Sequence, residues 1–314
     1  MDEKLYTPQE VSDILKIKKT TVYEMIKKGT IDAVKIGKHI RVSESNLNAF
    51  LGMSNGGSSG NNAVVAPLHD HINDFPHIMN NSGNIVVCGQ DVVLDVLCSA
   101  TGSAINNNCF LRSYLGSTNG LIALYNREVS VTACHLWDRE SDLYNLPFVN
   151  ALLPGVGVSI YHLFNRPVCI YVQKGNPKNI TSIKDFARSN VCIVNRELGS
   201  GIRVLVDSLL QEYEISTDAI KGYNKIINSH LAAASAVSRG DADCAIGMEN
   251  ASYQFANIET IFLRNEQYDL VIRKDDEKRF ELVNLVNVLK SEKFKESVNS
   301  MGCYDTKNMG VKLK

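Results

Sequence analysis

The sequence lacks most of the marks by which catalytic, secreted and membrane proteins announce themselves. No run of residues approaches the roughly 18 consecutive apolar positions that a spanning helix needs. The opening MDEKLYTPQEVSDILK has no basic stretch followed by an apolar one, so a secretory signal is not expected. Eight cysteines are scattered without a single C-x-x-C pair, most of them inside apolar stretches such as NIVVCG and DADCAIG. They read as reduced, buried small hydrophobes of a cytoplasmic protein. The glycine-rich stretch NRELGSGIR is followed neither by Gly-Lys-Ser/Thr nor by a third glycine at Val204, which excludes a P-loop and a dinucleotide fingerprint. Catalysis is not expected either. Cys134 stands beside His135, but neighbours on a strand point to opposite faces, and no nucleophile comes with an evident base.

A net charge of −1 argues against indiscriminate binding of polyanions by the whole chain, but the charge is unevenly spread. Residues 1–52 carry nine Lys and Arg against seven Asp and Glu, and the remainder carries 24 against 27. A small basic head on a mildly acidic body fits that split, and 314 residues leave room for two or three domains. In the head, Thr7-Pro8 followed by Glu10 has the form of a capping box with proline at the first helical position. Val11, Ile14 and Leu15 supply an apolar face, and Val22, Met25 and Ile26 do so in a second helix that Gly29 stops. DAVKIGKHIRV then alternates about Gly37 as a small hairpin does, and Ser43 caps a closing helix. Helix, turn, helix and wing make a DNA-binding layout.

The whole stretch YTPQEVSDILKIKKTTVYEMIKKGTIDAVKIGKHIRVSESNLNAFL resembles the excisionase-like, MerR-related helix-turn-helix family. The resemblance implies a second helix in the major groove of double-stranded DNA and a wing on the backbone or minor groove. On that reading Lys18, Lys19, Thr20, Thr21 and Tyr23 open the recognition helix, Lys27 and Lys28 end it, and Lys38, His39 and Arg41 form the wing. Lysines mostly contact phosphate; Thr20, Thr21 and Tyr23 are better placed to touch bases.

Residues 53–83 read as a flexible linker and connector, from the Gly, Ser and Asn of GMSNGGSSGNNAV onward. His69, His71 and His77 with Asp70 and Asp74 lie in it at no recognisable metal-ligand spacing, so a solvated loop is expected there. From Asn84 short apolar runs alternate with helical patterns, which means βαβ units and largely parallel sheets. LIALYNREVSVTAC and AASAVSRGDADCAI echo one another, each a helix ending at an arginine, a turn and a strand, as two similarly built lobes would require. RPVCIYVQKGNP and ETIFLRNEQYDLVIR are the expected strands crossing between them.

The stretches ACHLWDRESDLYNLPFV, FNRPVCIYVQKGNPKNI, VNRELGSGIRVLVDSLL and NSHLAAASAVSRGDADCAIG resemble a type II periplasmic-binding-protein domain of the variant related to molybdate-binding proteins. The fold class expected is α/β: a two-lobed body over residues 84–314 behind a small winged helix-turn-helix head over 1–52. Lobe one takes about 84–165 and 262–314, and lobe two about 166–261. Two departures stand out: the first loop reads Cys88-Gly89-Gln90-Asp91, where a hydroxyl is common, and Ile202 follows the glycine pair, where Thr is common.

The strand-to-helix turns are where such folds bind ligands. Gln90-Asp91, Ser117-Thr118, Gly199-Ser200-Gly201 and Ser229-His230 open four helices, and amides at helix starts favour a compact anion. His135, Asn145, Asn195, Arg196 and Arg203 complete the expected ligand set, with Asp138 and Tyr144 nearby and Trp137 as packing. Arg196 and Arg203 either meet the anion or form ion pairs with Glu197 and Asp207. By resemblance the ligand is molybdate or tungstate, no other cofactor or metal is expected, and a dimer would read DNA half-sites about 34–36 Å apart. Two alternatives stay open: an organic acid or amino acid as ligand, because Asp91 beside a dianion is costly, or an architectural role as in excisionases. The reading fails if those helix beginnings are filled by the protein's own groups with no room between the lobes.

Overall fold

The computed structural model describes residues 5–15, 18–27, 31, 33–36, 39–44, 46–47, 84–107 and 109–314. They belong to two compact units, within Met1–His69 and within Asp70–Lys314. The expected linker, residues 53–83, with His69, His71 and His77, lies outside the described residues.

In the first unit, strand β1 (Leu5–Tyr6) precedes helices α1 (Pro8–Leu15) and α2 (Lys19–Lys27) and the hairpin of β2 (Val34–Ile36) and β3 (His39–Ser43). The capping box forms as its residues require. The Glu10 amide donates to Thr7 Oγ1 at 3.2 Å, and the Thr7 amide donates to Glu10 Oε2 at 2.7 Å. Val11, Val22, Ile31, Val42 and Leu47 make the core, with Met25 and Ile26 against it. Ile14, expected on the apolar face, is exposed instead. The buried stripe of α1 runs through Pro8, Val11 and Ser12, and Ile14 falls about a third of a turn away from it. In the wing Val34 pairs with Arg41 and Ile36 with His39, while β1 covers the other edge of β3.

The second unit begins with β4 (Ile85–Cys88), α3 (Val93–Ile105), β5 (Phe110–Ser113), α4 (Ser117–Tyr125) and β6 (Val131–Cys134). Helical crossovers leave β4 parallel to both β5 and β6. A short hairpin, β7 (Trp137–Asp138) and β8 (Leu143–Tyr144), and helix α5 (Leu146–Leu152) lead to β9 (Val158–Gln173). Then come β10 (Asn195–Arg196), α6 (Gly201–Glu212), β11 (Ile226–Ile227), α7 (His230–Arg239), β12 (Cys244–Met248), β13 (Ile258–Arg273), α8 (Phe280–Lys290) and α9 (Glu292–Asn299). The main sheet has the order β12-β9-β13-β6-β4-β5.

Strands β9 and β13, 16 residues each, pair antiparallel from Val158–Arg273 to Gln173–Ile258. At about 3.3 Å per residue they run some 50 Å, long enough to serve two lobes. Leu163 and Leu270 join one core with α3 and α8, whereas Ile170 and Val172 join another with α6. Strands β9 and β13 carry the two expected crossing stretches, although β9 begins at Val158, well before the expected start at Arg166. The echo also holds: α4–β6 lies against β13 and α7–β12 against β9, each strand antiparallel to its neighbour. One correction follows: the longest pairing is antiparallel rather than parallel. Between β9 and α6 the chain forms a 3-10 turn at Ile183–Ala187 and, beyond isolated bridges, only the two-residue β10. Residues 305–314 lie along the first half of β9, the Leu313 amide donating to the Ile160 carbonyl at 2.7 Å, so that edge is covered. All eight cysteines are free, six of them buried, and no helix among the described residues is long and apolar enough to cross a membrane.

Candidate functional site

Midway along the crossing strands, where a lobe junction must bend, the apolar pattern is broken by charge. Arg166 of β9 faces Glu266 of β13 in register, and its Nε donates to Glu266 Oε1 at 2.5 Å. The same guanidinium pairs with Asp91, whose other oxygen caps α3 by accepting from the Val93 amide at 2.8 Å. Glu266 Oε2 holds His135 Nδ1 at 2.8 Å, and the Tyr268 ring stacks on both the His135 imidazole and the Arg166 guanidinium. Burial alone would raise the Glu266 carboxyl, but Arg166 and His135 outweigh it and bring it down to about 2.

His135 and Tyr268 also line a small cleft between the lobes, with about 10 Å3 of accessible space, enough for about one water. Gln90, Leu115, Gly116 and Ser117 contribute from the first lobe; Arg196, Ser200, Gly201 and Ile202 face them from the second. Six expected ligand residues therefore meet at one place: Gln90, Ser117, His135, Arg196, Ser200 and Gly201. Ser200 caps α6, accepting from the Arg203 amide at 3.2 Å, and Ser117 Oγ accepts from the His135 amide at 3.3 Å.

The lobes also touch directly. The Thr118 amide at the start of α4 donates to the Gly199 carbonyl at 3.0 Å. Arg196, only 2% exposed, gives Nε to Glu197 Oε2 at 2.7 Å and Nη2 to Glu197 Oε1 at 2.8 Å. Gln90 reaches across, accepting from Arg196 Nη2 at 2.7 Å and donating to Glu197 Oε1 at 3.0 Å. Burial works to raise the Glu197 carboxyl, yet its bonds to Arg196 leave it below the usual carboxylate range. Two of the expected anion-binding features are thus met by the protein's own oxygens, and the space left beside them holds no more than about one water. The approach depends on glycine: a Cβ on Gly116 would lie 3.0 Å from the Gly199 carbonyl oxygen.

The other expected ligand residues do structural work. Asp91 serves Arg166, and Arg203 pairs with Asp207, gives Nη1 to the Arg196 carbonyl at 3.2 Å and stacks on Tyr223. Asn145 accepts from the Leu136 amide and donates to Asp269, both at 2.7 Å, pinning the β8–α5 junction to β13. Asn195 accepts from the Arg196 amide at 2.9 Å, and its buried Nδ2 has no partner. Ser229 caps α7, and His230 Nδ1 accepts from the Met248 amide at 3.2 Å. Asp138 holds Ser141, Tyr144 donates to the Asn265 carbonyl, and Trp137 packs under the Arg264 guanidinium. Burial pushes the Cys134 thiol well up, which removes it as a thiolate beside His135. No cluster of three metal-ligating side chains occurs among the described residues. Arg166, Glu266 and Tyr268 escaped the sequence reading, although an arginine inside an otherwise apolar strand pattern was a visible signal.

On the head, Lys18, Lys19, Thr20, Thr21, Tyr23 and Lys27 are exposed along α2 and its approach. Arg41 is half-buried on β3, where His39 also lies; Lys28 and Lys38 fall outside the described residues.

Acid should weaken the body in two stages. His230 is held well below its ordinary 6.5 by burial and by Arg196, Arg166 and His135, so it stays neutral in the fold. The unfolded chain takes up that proton first, so stability falls as pH drops below about 6.5. Glu266 then contributes fully above 4.5 and is lost towards 2, a span of about 3 kcal/mol. Urea midpoints measured from pH 7.5 to 3.5 should fall throughout; a midpoint flat down to pH 5 contradicts a neutral His230.

Comparison with known proteins places both units. Residues 103–290 match the model of the PBP superfamily domain, and residues 5–53 match that of a helix-turn-helix domain. The uncharacterized protein YvgK of Bacillus subtilis (strain 168) is 36% identical over 310 residues, covering 97% of this chain and 96% of that one. An uncharacterized protein in the 5' region of the 2Fe-2S ferredoxin gene of Clostridium pasteurianum is 38% identical over 107 residues, covering 34% of this chain and 95% of that one. Among solved structures, an ABC-type phosphate transport receptor from Vibrio cholerae has a TM-score of 0.50 at 16% identity, covering 71% of this chain and 99% of that one. A substrate-binding protein assigned to a phosphate ABC transporter of Clostridium perfringens, solved with bound phosphate, has a TM-score of 0.53 at 13% identity with the same coverage. The chain belongs to the PBP superfamily domain family and carries a helix-turn-helix DNA-binding domain at its N-terminus, the composition of a ligand-binding, DNA-binding regulator.

Proposed function

We propose that the chain is a cytoplasmic transcription regulator whose body closes on a compact oxyanion and whose head, paired in a dimer, binds double-stranded DNA. The observation that carries this is Arg196: a guanidinium 2% exposed, set in the cleft between the beginnings of α4 and α6. With room for about one water, the cleft must open or give up an internal group to admit an ion. Each helix start adds about 0.3–1 kcal/mol for an anion, and each bond to a charged group about 1.5–3 kcal/mol. Molybdate or tungstate is the first reading, carried by the resemblance of the loops to molybdate-binding proteins. The head is read as excisionase-like and MerR-related, with α2 in the major groove.

A second reading is favoured by Glu197. A single carboxylate already balances the cleft's arginine, so the anion that most simply replaces it carries one charge or keeps a proton. Protonated phosphate and small organic acids fit that chemistry, and phosphate is what the Clostridium perfringens structure holds.

A thermal-shift panel of molybdate, tungstate, phosphate, sulfate, organic acids and amino acids decides between them. At one hundred times its Kd the true ligand adds about 2.7 kcal/mol of stability. A gel shift on the DNA upstream of the protein's own gene, with and without that ligand, should show altered affinity and steep salt dependence. Silence from every anion in the panel overturns the proposal, and DNA binding indifferent to ligand turns the reading towards an architectural factor.

A further inference from the structure

We propose that the turn 197–199 is a built-in occupant of the cleft, and that the effector is an acid that evicts Glu197 from Arg196. This rests on reading the cleft as the ligand site and names how that site is gated.

The bond pattern around Arg196 is that of a bound carboxylate. Nε meets one oxygen of Glu197 at 2.7 Å and Nη2 meets the other at 2.8 Å, the two-pronged match by which guanidinium recognises carboxylate or phosphate. A second acceptor, the Gly199 carbonyl, takes the Thr118 amide at the start of α4. One turn of chain therefore supplies an oxyanion to the arginine and an oxygen to the helix beginning, the two features the cleft offers a guest.

The partners are unequal in their freedom to leave. Arg196 is buried, and stripping it of counter-charge in place would be costly. The Glu197 side chain is 24% exposed and can rotate into water. Leu198 beside it projects into solvent, and Gly199 sits at φ +83°, in the left-handed region that glycine adopts freely. Ser200 caps α6 and its Oγ also donates to the Glu197 carbonyl at 3.0 Å, so the Glu197 side chain can rotate away while its backbone stays tied to the helix start. Gln90 of the first lobe bonds to both Arg196 and Glu197 and thereby latches the lobes without a ligand. Once Glu197 departs, Gln90 Nε2 is released to donate to the incoming anion.

Binding is then an exchange of one acid for another, which weakens apparent affinity by the strength of the internal pair. Glu197→Gln keeps the shape and removes the charge. Titration calorimetry of the full chain with inorganic phosphate, molybdate and acetate should show at least tenfold tighter binding of whichever anion the wild type takes. The thermal readout separates this from a general structural role. Without ligand, Glu197→Gln should melt below wild type; at saturating anion the two should melt together, because Glu197 is out of the site in both. Unchanged or weaker binding, or a deficit that persists at saturation, overturns the internal occupant while leaving the cleft as the ligand site. If none of the three anions binds wild type or Glu197→Gln, the cleft reading itself fails and takes this inference with it.

Discussion

Arg166→Ala is expected to cost the body about 3–5 kcal/mol, the range seen when one member of a buried ion pair is removed and its partner is left charged. Asp91 and Glu266 would both lose their counter-ion, Asp91 at 2% exposure and Glu266 at 1%. Neither can turn to water, because Glu266 is fixed in the middle of β13 opposite Arg166 and Asp91 is tied to the Val93 amide. Protonation offers partial relief, so the deficit should shrink in acid: the Glu266 carboxyl, held at about 2 by Arg166 and His135 against its burial, rises once Arg166 is gone. Urea unfolding at pH 7.5 and pH 5 measures both effects. Arg166→Met combined with Asp91→Asn and Glu266→Gln should recover part of the loss by removing the stranded charges. A single Arg166→Ala deficit below about 1 kcal/mol would mean that the junction does not depend on this pair.

How much of this was legible beforehand differs by kind of residue. The capping box at Thr7–Glu10, the crossing strands and the two echoed helix–strand units follow from local patterns that no tertiary context overrides. Long runs such as VSIYHLFNRPVCIYVQ are apolar on both faces because both are covered, which is itself a sign of a strand inside a larger body. The position of Ile14 and the 3-10 turn at Ile183–Ala187 were not legible, since each is decided by what packs against it. At the site, glycine turns and helix starts pointed to junctions that the fold brings together, and Gln90, Ser117, His135, Arg196, Ser200 and Gly201 surround one cleft. The sequence offered both roles for Arg196 and Arg203, and could not choose between ligand and ion pair. That choice depends on Gln90 arriving from the other lobe and on Asp207 one helical turn from Arg203. Asn145 was expected to reach into the cleft, but its side chain instead satisfies the Leu136 backbone amide, a need that local sequence does not reveal.

Gly201→Ala should leave the fold intact and abolish the response to ligand. Gly201 is the first residue of α6 and has no positive φ, so alanine suits the backbone there, and helix propensity favours it by up to about 1 kcal/mol. The obstacle comes from the other lobe. A Cβ on Gly201 would lie 2.4 Å from Cε1 of His135, 2.5 Å from Nδ1 and 2.8 Å from Nε2, well inside contact distance. The imidazole cannot step aside cheaply, because Glu266 holds its Nδ1 at 2.8 Å and Tyr268 stacks on its face at 4.7 Å. The cost therefore falls on the closed arrangement alone; with the lobes apart the methyl meets nothing from His135. A ligand can only draw the lobes together by as much as it prefers the closed state. If closure is what a bound anion rewards, this substitution should erase the ligand-dependent thermal shift. Because Gln90 and the Thr118–Gly199 bond already join the lobes without a guest, the ligand-free melting temperature should fall as that latch is lost. It should also uncouple DNA affinity from ligand, leaving the head to bind its site equally with and without the anion. A Gly201→Ala protein with a full-sized ligand shift would show that the guest is held without bringing His135 and α6 together, and the two-lobed grip would have to be abandoned.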